Sequence, residues 1–386
     1  MKTKNIILSV SIITAMLISS GCSLGVDVPD ELKDSSSSKA DTSSGAPVYN
    51  DSRDTNDSEY ETITLSDLAQ NKQSEIDRIY SLNCDNFTFS DGIDFIVPKV
   101  AGKYHIEGIE GFGTHANQLF DKYVPDDVYD ARKITTDEHD VPFGPCYQDE
   151  ELGLRVDTGE GGFFIYVPMG SDKENNPETE YSQYYYINGV MPDETVTLDG
   201  EQVKISQLWD KTADFLEGFK ECAEYDGDFI PYIAAVGKTE NSEKQEAEIL
   251  FRSSINGLPL NCLGKHRMYE GDVDPDIREF HTARCNYING DELYYLSIQK
   301  CMQVKGTIEE YDSIISPSSA VKLLSDKLSG YSQYEVIGLE LAYSQINCKE
   351  DKSVMPFWFI YFDLTPNYET FGMVNAITGE VTFVKN

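Results

Sequence analysis

The chain has 386 residues, with 67 acidic and 31 basic side chains and a formal net charge of −36. Only ten of the acidic and five of the basic residues precede Thr62, so the negative charge belongs to the longer, later part of the chain. Such a field argues against nucleic-acid binding and against close adhesion to anionic lipid, and the length of that part predicts two or three domains.

The N-terminus has the layout of a signal peptide. Lys2 and Lys4 precede an apolar run over residues 6–18 that only three polar residues interrupt. A helix of that length rises about 20 Å, less than a bilayer-spanning helix requires. The run ends in the sequence ISSGC, residues 18–22, which resembles the lipobox of bacterial lipoproteins, although Ser19 stands where the family prefers an aliphatic residue.

The lipobox resemblance implies a lipoprotein signal peptide over residues 1–21 and lipidation of Cys22, hence a chain anchored to the outer face of the cell membrane. An ordinary secretory signal cut near Ser20 or Gly21 is the alternative, and it also places the mature chain outside the cytoplasm. Residues 22–61 are rich in Ser, Asp, Thr and Asn, which predicts a disordered tether because they cannot bury enough apolar surface to offset ordering entropy.

Three helices are predicted along the rest of the chain. Residues 66–81 have a weak apolar periodicity. Residues 207–224 have a strong one, with Ser206 placed as the N-cap and Cys222 on the apolar stripe as a small buried residue. A third helix over residues 317–328 begins with Ser316 as N-cap and proline in its first turn.

The predicted strands are joined by turn signals. Asp199-Gly200 and Asn289-Gly290 each lie between two runs of β-forming residues, and Thr378-Gly379 marks a last hairpin. Because helices fall between sets of hairpins, the sequence predicts an α+β fold with antiparallel sheets, each packed by an amphipathic helix. We expect an N-terminal α+β region over 62–193 and two related helix-plus-sheet units over 194–270 and 284–386.

The last unit carries a family likeness. Its order of capped helix, aromatic strand MPFWFIYFDL and hairpin GMVNAITGEVTF resembles PepSY-type domains and the YycH and YycI regulatory proteins. The resemblance implies tandem PepSY-like, cystatin-like units that bind or restrain a partner such as a membrane-bound sensor or a peptidase. The whole chain also resembles uncharacterised Gram-positive lipoproteins. The residues that match the family pattern are Trp358, Asn375, Ala376, Thr378, Gly379 and Glu380.

Cysteine usage favours neither a disulfide framework nor zinc. Removing Cys22 from the eight cysteines leaves seven, an odd and widely spaced set whose pairing stays open. The chain has no C-x-x-C pair, which argues against a structural zinc site.

Catalytic motifs are equally scarce. None of the five histidines forms H-E-x-x-H, and the chain contains no G-x-S-x-G. Residues Ser319 to Lys322 satisfy S-x-x-K, but neither S-D-N nor K-T-G follows, so we expect a helix-start serine and a surface lysine.

One acidic loop keeps a calcium site open. Asp272, Asp274 and Asp276 alternate like the first ligands of an EF-hand, yet Ile277 and Ala283 stand where that loop needs glycine and glutamate. A calcium site of another kind and a plain acidic turn are the two interpretations, and no other cofactor is predicted.

The chain is rich in aromatic residues, including the consecutive Tyr184, Tyr185 and Tyr186. Some of these rings fill α+β cores, and any exposed ones suit protein or carbohydrate recognition. The function predicted from the sequence is therefore non-enzymatic binding of a protein or peptide partner at the cell surface. A receptor for a solute or glycan is the alternative, and a cell-wall or polymer hydrolase with paired carboxylates is a third.

Overall fold

The segments with strong apolar periodicity form the two longest helices of the computed structural model. It describes residues 48–49, 60–108, 112–124, 126–127, 129–135, 145–149, 151, 154–158, 163–166, 179–186, 192–239, 245–261, 283–288, 290, 292–298, 301–330, 333–344, 353–362 and 370–385. All of these residues belong to the unit Gly45–Asn386. The helices are α1 Leu65–Gln70, α2 Lys72–Tyr80, α3 Ala116–Tyr123, α4 Ile205–Cys222 and α5 Pro317–Lys327.

Most of the chain between the helices is extended. The first strands are β1 Val48–Tyr49, β2 Thr62–Thr64, β3 Phe87–Phe89, β4 Ala101–Gly108, β5 Ile134–Thr135, β6 Cys146–Asp149, β7 Leu154–Asp157, β8 Phe163–Tyr166, β9 Thr179–Tyr186, β10 Thr195–Leu198 and β11 Glu201–Lys204. The later strands are β12 Asp228–Thr239, β13 Gln245–Ile255, β14 Leu258–Asn261, β15 Ala283–Ile288, β16 Glu292–Ile298, β17 Met302–Tyr311, β18 Ser313–Ile315, β19 Tyr334–Val336, β20 Gly338–Ser344, β21 Ser353–Tyr361, β22 Thr370–Asn375 and β23 Val381–Lys385.

The helix starts agree with the sequence in one case and differ in two. Ser316 caps α5, and its hydroxyl accepts a hydrogen bond from the Ser319 N–H at 3.2 Å. Helix α4 instead begins at Ile205, so the prediction that Ser206 is its N-cap is wrong: Lys204 is the N-cap, and its N–H donates to the Gln207 side chain. The predicted helix over 66–81 is two helices, α1 and α2, that meet at Asn71.

Two antiparallel sheets face each other between the helices. The first has the strand order β9-β12-β13-β15-β16-β8-β7-β6-β5, and the second has β20-β21-β22-β23-β1. Parallel pairing of β14 with β20 joins them. The α+β class with antiparallel sheets is therefore confirmed. Strand β1 lies inside the range 22–61 that the sequence predicts as a tether, and it pairs with β23 through Val48 and Val384.

Alternation along the strands produces three cores in a helix–sheet–sheet–helix stack. Leu216 and Phe219 of α4 pack on Ile249 and Phe251 of β13 in the first core. Helix α5 packs on the second sheet in another. The third core lies between the sheets, where side chains from the opposite strand faces meet: Ala235, Leu250, Ala342, Phe357, Phe359, Phe371 and Met373.

The packing groups the chain differently from the consecutive ranges 62–193, 194–270 and 284–386. One core combines residues between 65 and 106 with residues 255–260 and 314–381, while another uses residues between 112 and 301. The segment 112–301 is thus inserted between β4 and β17, which pair with each other along their whole length.

Candidate functional site

Strands β4 and β17 form a ribbon at the point where the chain leaves one core for the other. The two strands pair in antiparallel fashion from Ala101 opposite Tyr311 to Gly108 opposite Met302. We call these two strands the ribbon. Gly102 permits the close approach of the strands, because a Cβ at that position would lie 2.6 Å from the Glu309 carbonyl oxygen.

The two strands of the ribbon differ in exposure. On β4, Tyr104 and Ile106 are buried in the core beneath, and β4 also pairs with β21 at Ser353 and Val354. On β17, all seven residues from Val304 to Glu310 are exposed, and β4 is its only strand partner in the part of the chain that the structure describes. As far as the described residues go, strand β17 is therefore an edge strand with a free backbone side.

Aliphatic side chains on the ribbon face solvent. Among the described residues four large hydrophobic side chains are exposed, and three of them lie on the ribbon or directly before it. Ile308 is 54% exposed, Val304 42% and Val100 40%. Single exposed aliphatics are ordinary on protein surfaces, but their concentration on one edge is typical of an interaction site.

Two irregularities shape the strand. The pairing register shifts between Val304 and Gly306 and again between Thr307 and Glu309, so no residue of β4 lies directly opposite Lys305 or Ile308 in the backbone pairing. Such bulges bend and twist an edge strand. Because of the bulge, the Ile308 side chain does not lie among the side chains of the sheet that face the core, and it is exposed.

Charges on the ribbon are unevenly balanced. Lys305 pairs with Glu107 across the strands at 3.7 Å, and the Tyr311 hydroxyl donates to the Glu309 carboxylate at 3.1 Å. That hydrogen bond and burial, which is the larger cause, raise the pKa of Tyr311 to about 12. Within the described residues, the Glu310 and Asp312 carboxylates have no ionic or hydrogen-bonding partner, so the end of β17 has more acidic than basic groups even though Lys103 of β4 lies opposite Glu309.

A second charged cluster lies buried between the sheets. Arg252 of β13 holds the Glu340 carboxylate of β20 with two hydrogen bonds of 2.5 and 3.0 Å, and neither side chain is more than 2% exposed. Asn261 accepts from the same guanidinium at 2.6 Å, and the Tyr361 hydroxyl donates to Glu340 at 2.7 Å. The Tyr232 ring lies 3.8 Å from the guanidinium carbon.

The contacts in this cluster move the pKa values of Glu340 and Arg252 in opposite directions. Burial favours the neutral forms, but the mutual attraction of the two charges and their hydrogen bonds outweigh it. The pKa of Glu340 is consequently lowered and the pKa of Arg252 is raised. The cluster joins the two sheets, since Arg252 and Glu340 belong to different ones. It is closed to solvent and therefore offers no room for a substrate.

A shallow groove of about 540 Å³ runs between α2 and the loop before Phe95. The exposed Tyr80 ring lines it, and its position is fixed because the hydroxyl donates to the Ser90 carbonyl and accepts from the Ile93 N–H, both at 3.0 Å. Lys72 and Asp94 form an ion pair of 2.5 Å in the same groove. An oriented tyrosine beside polar groups is compatible with a small polar ligand.

Several predicted site residues lie outside the described part of the chain. These are Cys22 and the aspartates Asp272, Asp274 and Asp276. His139, His266 and His281, for which the sequence predicts no site, lie outside it too. Tyr184 to Tyr186 belong to β9, of which the structure describes the backbone pairing with β12 alone. Within the described residues, no group of three or more metal-binding side chains comes together.

The S-x-x-K segment has the geometry expected of a capped helix. The Ser319 hydroxyl accepts from the Glu61 N–H at 3.1 Å, while Lys322 forms an exposed ion pair with Asp326 at 2.8 Å. The serine and the lysine thus use their polar groups for different partners, and the prediction of a helix-start serine and a surface lysine is confirmed.

The described cysteines are free thiols: Cys84, Cys146, Cys222, Cys285 and Cys301. Burial raises the pKa of Cys285 and Cys301, and burial together with Asp157 raises that of Cys146 to about 12. Buried thiols with raised pKa values form little thiolate, so Cys146, Cys285 and Cys301 act as packing residues.

Sequence reasoning did not single out the ribbon. Its signal was present in the run VKGTIEE, residues 304–310, in which two β-branched aliphatics flank a glycine among charged residues. That composition is typical of an edge strand. Its exposure depends on β4, which lies some two hundred residues earlier in the chain.

Comparison with known proteins establishes the fold alone. No protein-family model matches the chain, and no curated protein matches it. The structure is similar to the crystal structure of an uncharacterized protein from Eubacterium rectale, with a TM-score of 0.51 and 13% identity over 80% of this chain and 98% of that one. No helix among the described residues is long and apolar enough to cross a membrane.

Proposed function

We propose that this chain is an extracytoplasmic lipoprotein, tethered to the cell membrane through Cys22, that binds a protein or peptide partner without enzymatic activity. The observation that carries the proposal is the exposed edge strand β17 with Val304 and Ile308 on it. Exposed aliphatic residues on a free strand edge lower the free energy of association when a partner covers them. The lipobox-like sequence and the polar segment after it support the anchored location.

We further propose that the two helix-plus-sheet halves are tandem PepSY-like units. Support comes from their element order, since α4 is followed by the paired strands β12 and β13, and α5 is followed by the short strand β19 and then by the paired strands β20 and β21. The turn that carries the family pattern is tightly bonded: the Asn375 side chain accepts from the N–H groups of Ile377 and Thr378 at 2.9 and 3.1 Å. A membrane-bound sensor or a peptidase is the kind of partner this resemblance implies.

Two experiments in cells test the proposal. A fatty-acid probe should label the wild-type chain and leave Cys22→Ala unlabelled, and equal labelling of both would exclude the anchor. Crosslinking followed by affinity capture should recover a membrane or wall protein with the wild type and lose it with Val304→Lys/Ile308→Lys. The matched control is Thr88→Lys/Gln202→Lys, which adds the same charge at exposed strand positions elsewhere and should retain the partner.

The Tyr80 groove favours one alternative function, a receptor for a solute or glycan. Its fixed aromatic ring and neighbouring ion pair suit stacking and hydrogen bonding to a sugar. Thermal-shift measurements with sugars, peptides, polyamines and calcium distinguish the two functions. Stabilisation by a sugar that Tyr80→Ala abolishes would favour the receptor, and stabilisation by calcium would direct attention to Asp272, Asp274 and Asp276.

A further inference from the structure

We propose that the partner adds to β17 as an extended strand, and that the segment it presents is basic and contains β-branched aliphatic residues. The inference rests on the proposed partner-binding function and specifies how the same site recognises its partner. Three observations on the described residues carry it: a long strand edge that no other strand covers, aliphatic side chains at that edge, and carboxylates outside any ion pair at one end.

The free edge supplies main-chain hydrogen bonds. Strand β17 is ten residues long and its described backbone pairing is with β4 alone. A strand in a sheet directs backbone N–H and C=O groups to both sides, so the groups on the side away from β4 are available to an incoming chain. An extended peptide satisfies them in the way that β20 and β21 satisfy each other within the second sheet.

The edge is only partly protected against pairing. Natural edges are blunted by lysines and bulges, and β17 has Lys305 and two register shifts. An edge that is fully protected against pairing would expose polar side chains along its whole length. On β17, however, the side chains of Val304 and Ile308 are 42% and 54% exposed. Cross-strand contacts between aliphatic β-branched residues stabilise added strands, so these two positions select similar side chains in the partner.

Charge defines the remaining feature of the partner. Glu310 at the end of β17 and Asp312 just after it form no ion pair among the described residues. Glu309 lies beside them, opposite Lys103 of β4. Lys305, at the other end, is already paired with Glu107. The chain as a whole carries −36. The negative charge thus attracts a segment that carries lysine or arginine, and ion pairs at the acidic end would fix the register of that segment on β17. An acidic segment is repelled.

A synthetic probe isolates the backbone contribution. The probe is a fluorescein-labelled ten-residue peptide of alternating threonine and valine with two lysines at one end, measured by fluorescence anisotropy against the full chain. Its counterpart replaces both lysines by glutamate. Two further versions carry N-methyl groups on alternate residues, one version for each edge of the peptide.

We expect the basic probe to bind and the acidic one to bind at least about tenfold more weakly. N-methylation should abolish binding when it falls on the paired edge and leave binding intact when it falls on the other, because an added strand pairs through one edge only. Equal loss with both N-methylated versions, or equal binding of the basic and acidic probes, would overturn strand addition.

Protein variants locate the site. Ile308→Lys should weaken the basic probe by about tenfold or more, and Glu310→Lys should weaken the basic probe and strengthen the acidic one. Glu335→Lys makes the same charge change on the exposed face of β19 and should leave both affinities unchanged. Circular dichroism and thermal unfolding confirm that each variant is folded.

The results separate this inference from the proposed function. If no probe binds while the cellular partner is still captured and still lost in Val304→Lys/Ile308→Lys, strand addition is wrong and partner binding stands. If sedimentation shows that the purified chain dimerises and that the same double variant is monomeric, a second copy occupies the edge and the basic partner segment is wrong.

Discussion

Arg252 and Glu340 form an ion pair 88 positions apart in sequence, buried between the two sheets and held by two hydrogen bonds. Each residue lies on the strand face opposite the helix that covers its own sheet. The pair thus links the two sheets, and Asn261 and Tyr361 add hydrogen bonds to it, while the Arg252 Nε has no hydrogen-bond partner among the described residues. Removing one partner leaves an uncompensated charge in a site closed to solvent.

We therefore predict that Glu340→Gln lowers the free energy of unfolding by about 3–5 kcal/mol, as measured by urea denaturation at pH 7. Lys322→Gln, which breaks the exposed pair with Asp326, is the control and should cost less than about 1 kcal/mol. The double variant Arg252→Met/Glu340→Leu should recover most of the loss, because no charge remains buried. Equal effects of Glu340→Gln and Lys322→Gln would contradict a stabilising role for the buried pair.

The lowered pKa of Glu340 makes this stabilisation depend on pH. The unfolded chain has the ordinary glutamate pKa of 4.5, and the folded chain has a lower one, so the unfolded state binds more protons between the two values. The contribution of Glu340 is complete above pH 4.5 and is lost as the pH falls through the folded-state pKa. Urea unfolding of wild type and Glu340→Gln from pH 7 to pH 3 should show their stability difference shrinking. A difference that stays constant below pH 4.5 would refute this.

The two long helices differ in how they begin, and serine substitutions should reveal it. Ser316→Ala removes the side chain that caps α5 and should cost about 1 kcal/mol, with an upper bound near 2 kcal/mol. Ser206→Ala lies in the first turn of α4, after Lys204, and should be neutral to within about 0.5 kcal/mol. Chemical denaturation of both variants tests the contrast. A larger loss in Ser206→Ala would restore that serine as a cap.

Gly372 allows α5 to pack closely on β22. A Cβ at this position would overlap the Leu324 side chain, which is fully buried. Gly372→Ala should therefore lower the free energy of unfolding by about 1–3 kcal/mol through overpacking. Gly306→Ala is the control, since open space surrounds that position on β17. Leu324→Ala in the Gly372→Ala background should relieve part of the overlap, which a double-mutant cycle measures.

The rate at which each cysteine thiol is alkylated should fall as its burial increases. Iodoacetamide at pH 8 should modify the half-buried Cys84 in the folded chain before Cys146, Cys285 and Cys301, whose pKa values burial raises. Mass spectrometry of peptides from timed samples identifies the labelled positions. In guanidinium chloride all four should react at similar rates. Early labelling of Cys285 in the folded state would mean that α4 opens from its sheet.

Local features of this protein were readable from its residues. Ser316 followed by proline predicted the start of α5, and the Asp199-Gly200 pair predicted the hairpin of β10 and β11, where both residues have positive φ angles. Caps and two-residue turns depend on a few neighbouring residues, so their chemistry is contained in a short stretch. The α+β class followed from the order of such stretches. Lipidation of Cys22 stays a prediction from the same kind of local pattern.

The tertiary structure decided which distant segments come into contact and which surfaces stay exposed. Nothing near Arg252 in the sequence indicates Glu340, and nothing near Ile308 indicates that β4 covers only one side of its strand. Burial and exposure depend on which faces meet after the chain has folded, and here the segment 112–301 is inserted between two paired strands. The candidate binding edge exists because β17 pairs along one side, a property of the sheet as a whole that no single stretch of residues encodes.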